Sequence, residues 1–338
     1  LTPAHREDYL TGVCGSFATW PFGPKPIRRP SGRLFDPVSA LVAFSLSQTA
    51  IDRAFSAVKQ TTLRNAATIT GITLHTGARV QLTLCPAPAG TGIRFCRTDL
   101  RGSPEIPARV ENVVDVRRAT TIGCGEARVH TVEHVLAALH AFGVDNARVE
   151  MTGPEPPVVD GSARAFVQLI RRAGIVELDA DQSFFEVPRL TYLEMGQTRM
   201  IAVPDPALRI SCTVKFGACV LDSQYLTLEV GPESFEQELA AARTFCLYEE
   251  IQALMAANLI LGGSLDNAVV IKDGAILSKD GLRYGDELVR HKMLDLVGDL
   301  YLLGRRVHGH FIVVRPGHQS NVALNRLLVE SLGRDCAA

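Results

Sequence analysis

None of the eight cysteines of this 338-residue chain, at positions 14, 85, 96, 124, 212, 219, 246 and 336, falls in a Cys-x-x-Cys pair. That spacing removes the zinc-ribbon and thioredoxin-like readings and leaves the dispersed, reduced thiols of an intracellular protein. No apolar run approaches the roughly 20 residues that cross a bilayer, so no transmembrane segment is expected. Charge of one sign is not in excess either: 35 Lys and Arg stand against 36 Asp and Glu, a formal net charge of −1. The overall basic field with which nucleic-acid binders attract phosphates is therefore missing, and no nucleic-acid partner is expected. No Gly-x-Gly-x-x-Gly opens a helix, so Gly262, Gly263 and Gly281 read as turns and not as a phosphate loop. What is present, 46% hydrophobic and 21% charged residues, describes a soluble globular chain long enough for two domains.

Residues 1–57 differ from the rest, with Pro21-Phe-Gly-Pro-Lys-Pro26, Arg28, Arg29 and Arg33 ahead of an apolar run from Val38 to Leu46. They read as an N-terminal extension, disordered or processed. Basic residues before a short apolar stretch keep organellar targeting as the alternative to a cytoplasmic chain. Regular patterning begins near Lys59. Arg79 to Leu84 alternates like a strand, with turn signals from Pro86 to Gly92. Helices are predicted at Thr131–Phe142, stopped by Gly143, and at Phe166–Ala173, stopped by Gly174. The pattern then restarts with strands at Phe184–Tyr192, Met200–Val203 and Arg209–Lys215. Ser234 and Gln237 fit a capping box for a helix reaching Phe245. A long helix from Asp286 to Leu303 and a strand from His310 to Arg315 close the sequence. The expectation is an α+β fold of two related layers, a first domain at 58–182 and a second at 183–338.

The long helix carries the chemistry. Glu287-Leu-Val-Arg-His291-Lys-Met-Leu-Asp295-Leu-Val-Gly-Asp299-Leu300 places His291, Asp295 and Asp299 on one face, four residues apart, between apolar neighbours. Burying such a stripe costs several kcal/mol unless its members are paired or bind a metal. An imidazole and a carboxylate one turn apart suit one divalent ion whose remaining donors come from elsewhere. A second cluster, His130-Thr-Val-Glu133-His134, supplies them in either of two ways. Its letters match the His-x-x-Glu-His of inverted zinc peptidases, with His130 and His134 both ligands. Alternatively His134 alone joins His291 and Asp295, leaving a fourth position open and Glu133 beside it as base. Amide or ester hydrolysis is the chemistry implied. His308 and His310 alternate along a strand and read as a solvated or structurally bonded pair.

Several segments closely resemble the zinc-dependent UDP-3-O-acyl-N-acetylglucosamine deacetylases of lipid A synthesis. They are Leu74-His75-Thr76-Gly77, Thr131-Val-Glu-His134, Asp160-Gly-Ser-Ala163, Ala242-Arg-Thr-Phe245, Leu261-Gly-Gly-Ser264, Val289-Arg-His-Lys-Met-Leu-Asp295, Gly298-Asp-Leu300 and Gly317-His318, in family order from about residue 59 onward. The resemblance implies two similar domains, each a β-sheet layer backed by helices, with the active site between them. It makes His134, His291 and Asp295 the ligands of one Zn²⁺, for which Fe²⁺ is the alternative, and Glu133 the general base. His318 resembles the family's protonated imidazole, Asp299 the carboxylate that orients it, and Thr244 the hydroxyl that meets the tetrahedral intermediate. Lys292 would pair with the substrate diphosphate and Phe245 would stack on the sugar or nucleoside, with Leu74 and His75 near the substrate entrance. Residues Ile251 to Gly263, which alone read as a packed core helix, correspond to an acyl-chain channel. The activity implied is hydrolysis of the 2-acetamido group of UDP-3-O-acyl-N-acetylglucosamine, the committed step of lipid A biosynthesis, by a cytoplasmic monomer. Thr73, where the family usually has glycine, and His130, where it has a small or hydroxyl residue, depart from the pattern. A binding protein that has lost catalysis is the remaining class.

Overall fold

The structure is a computed structural model that describes residues 58–215, 223–257 and 259–335, with the side chains of 333–335 excepted. The extension read at 1–57, with its targeting alternative, lies outside the described residues.

Alternation builds the first sheet. Val80, Leu82 and Leu84 point inward from the strand Arg79–Pro86 and are buried, while their neighbours face outward. This strand lies in a five-stranded sheet ordered Ala67–Ile72, Arg79–Pro86, Ala147–Met151, Ile93–Arg97, Glu105–Pro107. Ala147–Met151 runs antiparallel to Arg79–Pro86 but parallel to Ile93–Arg97, and a parallel neighbour requires a crossover. The crossover carries helix α1 (Glu133–Ala141); helix α2 (Arg164–Ala173) follows the last strand. Gly143 and Gly174, at φ +63° and +70°, stop these helices where the sequence says they should.

The second sheet repeats the scheme. Its main path is Thr191–Met195, Thr198–Val203, Val307–Val314, Leu208–Lys215, Ser223–Glu229, with Phe185–Glu186 paired to Val307–Val314 off that path. Numbered in chain order within each sheet, the strands of both follow 1-2-5-3-4, and in both the last strand is parallel to the third. Between the fourth and last strands the chain forms helix α3 (Tyr248–Ala256) and helix α4 (Glu287–Leu300); after the last comes helix α5 (His318–Asp335). The architecture is thus mixed, with α+β segregation of sheets and helices. One hydrophobic cluster runs through it, from Leu82, Phe95, Leu136 and Phe166 to Met200, Ile210, Leu294 and Phe311. Three-stranded sheets at Val113–Val129 and Phe245–Leu277 flank the two large ones.

Four expectations need correction. The strand read at Phe184–Tyr192 is two pieces, Phe185–Glu186 and Thr191–Met195, because Pro188 between them has no amide hydrogen for a ladder. Ser234 does not open a helix: its hydroxyl accepts from the Gly231 N–H, so it closes a turn begun earlier, and only a short π-type segment, Phe235–Leu239, follows. Of the segment Ile251 to Gly263, which alone reads as a packed core helix, only Ile251 to Ala256 lies in α3, where Leu254 alone is buried. The closing helix α5 was absent from the sequence reading, because the face it buries includes Ser320, Asn321 and Asn325 beside Val322, Leu324 and Leu328, which blurs the apolar period.

Every residue of α1 is buried, including His140, whose neutral ring is fully used. Its Nδ1–H donates to the Val297 carbonyl (2.9 Å), its Nε2 accepts from the Val307 N–H (3.2 Å), and the ring stacks on Tyr301. Burial holds this histidine down to about 4, against an ordinary 6.5. Between those values the unfolded chain binds the proton that the folded chain refuses. Stability therefore falls as pH drops from 6.5 toward 4, by on the order of 3 kcal/mol from this group. Denaturant titrations across that window should show the decline, and His140→Leu should make it shallower while lowering stability at neutral pH. An unchanged slope in the variant would remove His140 as its source.

Candidate metal and catalytic site

Two helix starts are locked before any functional atom is placed. Thr131, in the left-handed region at φ +55°, turns the chain into α1, and its hydroxyl donates to Glu155 Oε1 at 3.0 Å. The same fully buried carboxylate accepts the His75 and Thr76 amides, so the Leu74–Gly77 turn and the start of α1 share one anchor. At α4, buried Glu287 accepts from Arg243 through its Nε (2.8 Å), Nη2 and backbone amide, and from the Arg283 amide. Burial would raise this carboxyl, but the bonds from Arg243 and Arg283 hold it below its ordinary range. α1 then packs along α4 so closely that a Cβ on Gly298 would lie 2.0 Å from the Glu133 carbonyl oxygen. Only glycine permits that crossing.

The crossing brings the predicted donors together. His134 Nε2 and His291 Nε2 lie 3.6 and 3.4 Å from Asp295 Oδ1, with the two rings perpendicular. Donors about 2.0–2.1 Å from a tetrahedral ion lie roughly 3.4 Å from one another, so this set could hold one divalent metal. The Asp295 oxygens divide their roles. Oδ2 accepts from Lys292 Nζ at 2.8 Å, whereas Oδ1 is buried without a hydrogen-bond partner. A buried, ionised oxygen with no partner is the vacancy in hydrogen bonding that a cation fills. His291 is held for the same purpose: its Nδ1–H donates to the Ala242 carbonyl, which directs the Nε2 lone pair at Oδ1. Burial keeps His291 down to about 4, hence neutral. Burial opposes ionisation of Asp295, yet Lys292, His291 and His134 hold it well below the usual carboxylate range.

A second group, Glu133, Asp295 and His318, is also close enough to share an ion. Its histidine argues against that use. Burial works against a charge on His318, but Glu133, Asp299 and Asp295 surround the ring and hold it up to about 9. A doubly protonated imidazole has no lone pair to offer a metal. Its Nδ1 is 3.0 Å from Asp299 Oδ2, and its Nε2 is 3.8 Å from Glu133 Oε1. Burial pushes Glu133 up to about 7, against the pull of His318 and His134, while the Thr120 amide fixes Oε2 at 3.1 Å. A buried carboxyl near neutrality beside a charged imidazole can serve as a proton-exchanging pair.

The other predicted residues line one cavity of about 490 Å³ with these groups: Leu74, His75, Thr244, Phe245 and Lys292. Thr244 is positioned by backbone bonds to Gly161 and Val269, and Gly161 approaches Asn267 too closely for any side chain, which accounts for the Asp160-Gly-Ser segment. The Leu74–Gly77 and Leu261–Ser264 segments meet directly, since the Leu261 and Gly262 amides donate to His75 and Leu74 carbonyls. Lys292 Nζ lies 5.4 Å from the Phe245 ring centre as well as on Asp295. His130 is set apart, bonded to Thr121 Oγ1 at 2.9 Å and belonging to neither donor group. His308 stacks on Phe184 and His310 bonds to Ser211, as a structural pair would. Thr120, Glu155, Asn321 and Asn325 escaped the sequence reading. Thr120 and Asn321 both donate to the Asp299 carboxylate and Asn325 to its backbone carbonyl, but they sit in segments with no periodicity to expose them.

Buried imidazole and carboxylate donors beside a proton-exchanging acid and imidazole define the class of metal-dependent hydrolases. Residues 60–330 match the UDP-3-O-acyl N-acetylglycosamine deacetylase family, and the chain belongs to it. Relatives named UDP-3-O-acyl-N-acetylglucosamine deacetylase include those of Myxococcus xanthus (strain DK1622), 44% identical over 83% of this chain and 88% of theirs. That of Citrifermentans bemidjiense (strain ATCC BAA-1014 / DSM 16622 / JCM 12645 / Bem) is 45% identical over 82% and 90%. That of Hahella chejuensis (strain KCTC 2396) is 44% identical over 81% and 90%.

Because Gly298 sets the separation of α1 and α4, Gly298→Ala should force the helices apart. Overpacking of this kind costs roughly 1–3 kcal/mol, and bound metal per chain should fall with it. Denaturant unfolding and metal analysis of the purified variant check both; normal stability with full metal content would contradict the crossing.

Proposed function

We propose that this protein hydrolyses the 2-acetamido group of UDP-3-O-acyl-N-acetylglucosamine, releasing acetate and UDP-3-O-acyl-glucosamine for lipid A biosynthesis. The observation that carries the reading is the unpartnered Asp295 Oδ1 facing two imidazole nitrogens, with Glu133 and His318 alongside. On this reading His134, His291 and Asp295 hold one Zn²⁺, for which Fe²⁺ suits the same donors. Such an ion, when bound, polarises the amide carbonyl and eases ionisation of water.

The chain's own groups do the rest. Glu133 removes a proton from the attacking water, and its fixed Oε2 leaves Oε1 to do so. His318, charged and aimed by Asp299, stabilises the developing oxyanion and protonates the departing amine. The Thr244 hydroxyl adds a donor to the same oxygen, and Lys292 and Phe245 receive the diphosphate and sugar ends. An apolar cavity of about 340 Å³, lined by Ile251, Leu254, Met255, Ile260 and Leu261, opens beside the site and suits the acyl chain. The shared 1-2-5-3-4 strand order supports two α+β domains, 58–182 and 183–338, with the site between them. No described helix is long and apolar enough to cross a membrane. We take the enzyme to be a cytoplasmic monomer.

Acetate release from the purified protein, measured together with its metal content, tests the reading. Glu133→Ala should keep the metal and lose turnover by at least about 100-fold, whereas His291→Ala should lose the metal itself. His130→Ser should retain both, since a peptidase-like pair of His130 and His134 would lose its ion. Unchanged deacetylation in Glu133→Ala would sink the mechanism.

A further inference from the structure

The catalytic and apolar cavities share Leu74, His75, Arg118, Thr244, Phe245 and Cys246, which therefore wall the passage between them. Arg118 is the one permanent charge among these six. Its Nη1 donates to Glu250 Oε2 at 2.9 Å, joining positions 132 residues apart. Arg118 belongs to the loop between strands Val113–Asp115 and Thr121–Cys124, and Glu250 to the first turn of α3.

The two sides of this contact differ in firmness. On the loop side, Arg118 sits at φ +67°, and its neighbour Arg117 is bonded to Asp115 through its amide, Nε and Nη2. On the other side, α3 buries only Leu254, while Glu249, Gln252, Ala253 and Met255 are exposed. The chain after α3 is tied to the first sheet's turn by the backbone bonds of Leu261 and Gly262 to His75 and Leu74. The Arg118–Glu250 pair ties the helix's opposite end. Between the two attachments lies the apolar cavity.

We propose that Arg118 and Glu250 are specificity-determining residues: their ion pair straps α3 across the passage and sets how much of an acyl chain the apolar cavity withdraws from water. The proposal rests on the deacetylase reading above and deepens it. A pair with 46% and 33% of its side chains exposed is weak and screened by salt, so it can yield while a chain threads and re-form over it. Neither residue touches the reacting atoms on this account; they position a wall.

The test is kcat/KM for acetate release from UDP-3-O-acyl-N-acetylglucosamines of long and short acyl chains. It compares wild type, Arg118→Ala, Glu250→Ala and the exchanged pair Arg118→Glu with Glu250→Arg. Loss of the strap should lower the long-to-short ratio by roughly fourfold, the worth of about one buried methylene, chiefly through KM for the long substrate. The exchanged pair should recover most of the ratio. Should any variant fold poorly, the wild-type ratio alone serves, since raising salt from about 50 to about 500 mM should erode it. Activity with an unchanged ratio in both single variants, or at all salt concentrations, overturns the strap alone. Loss in Arg118→Ala with gain in Glu250→Ala, equal for both chain lengths, would show Arg118 serving the substrate's phosphates instead and also overturn it. Wild-type protein that releases no acetate at any chain length overturns the deacetylase reading and the strap together.

Discussion

The close crossing of α1 and α4 is the constraint on which the rest depends. Two helices meet with a glycine against a carbonyl, so close that a Cβ there would lie 2.0 Å from the oxygen, and this sets the distance between the His134 and Asp295 side chains. Both helices are nearly all buried, so their polar residues cannot escape to water. They must satisfy one another or bind something. Most do the former: Asp299 is served by Thr120, His318 and Asn321, and Glu287 by Arg243 and Arg283. Asp295 Oδ1 is the conspicuous exception on this helix, and it faces the two imidazoles.

The electrostatics follow from that burial. Desolvation alone would neutralise every buried titratable group around the crossing, and it succeeds with His291 and partly with Glu133. It fails with His318, where three carboxylates outweigh it, and with Asp295, where a lysine and neighbouring imidazoles do. Charge thus resides on a chosen imidazole and a chosen carboxylate, and the neutral ring is one of those that can bind metal. The same few ångströms separate a neutral imidazole from a charged one, although the residue types are identical.

Legibility in the sequence tracked periodicity. The stripe on α4 and the cluster ending in His134 were visible because helical spacing juxtaposes their members and because polar letters interrupt apolar ones. The two sheets were visible only as strands; that both follow the order 1-2-5-3-4 is a property of pairing between distant segments. α5 escaped because its inward face carries asparagines that serve Asp299, a tertiary purpose indistinguishable in sequence from an exposed polar face. In α3 periodicity alone suggests a core helix, whereas its apolar residues line a cavity, as the family resemblance implies.

By itself the sequence marked His134, Glu133, His291, Asp295 and Asp299 as candidates through side-chain type and local spacing, and His318 through its resemblance to the family. Which nitrogen faces which oxygen was decided only when α1 and α4 crossed, as were the Thr120 and Glu155 anchors and the segregation of the candidate metal donors from the His318–Asp299 pair. The reason is physical. Helical period sets the 3.4 Å between His291 and Asp295, one turn apart on α4, whereas the 3.6 Å between His134 and Asp295, more than 150 positions apart, arises only from packing between helices.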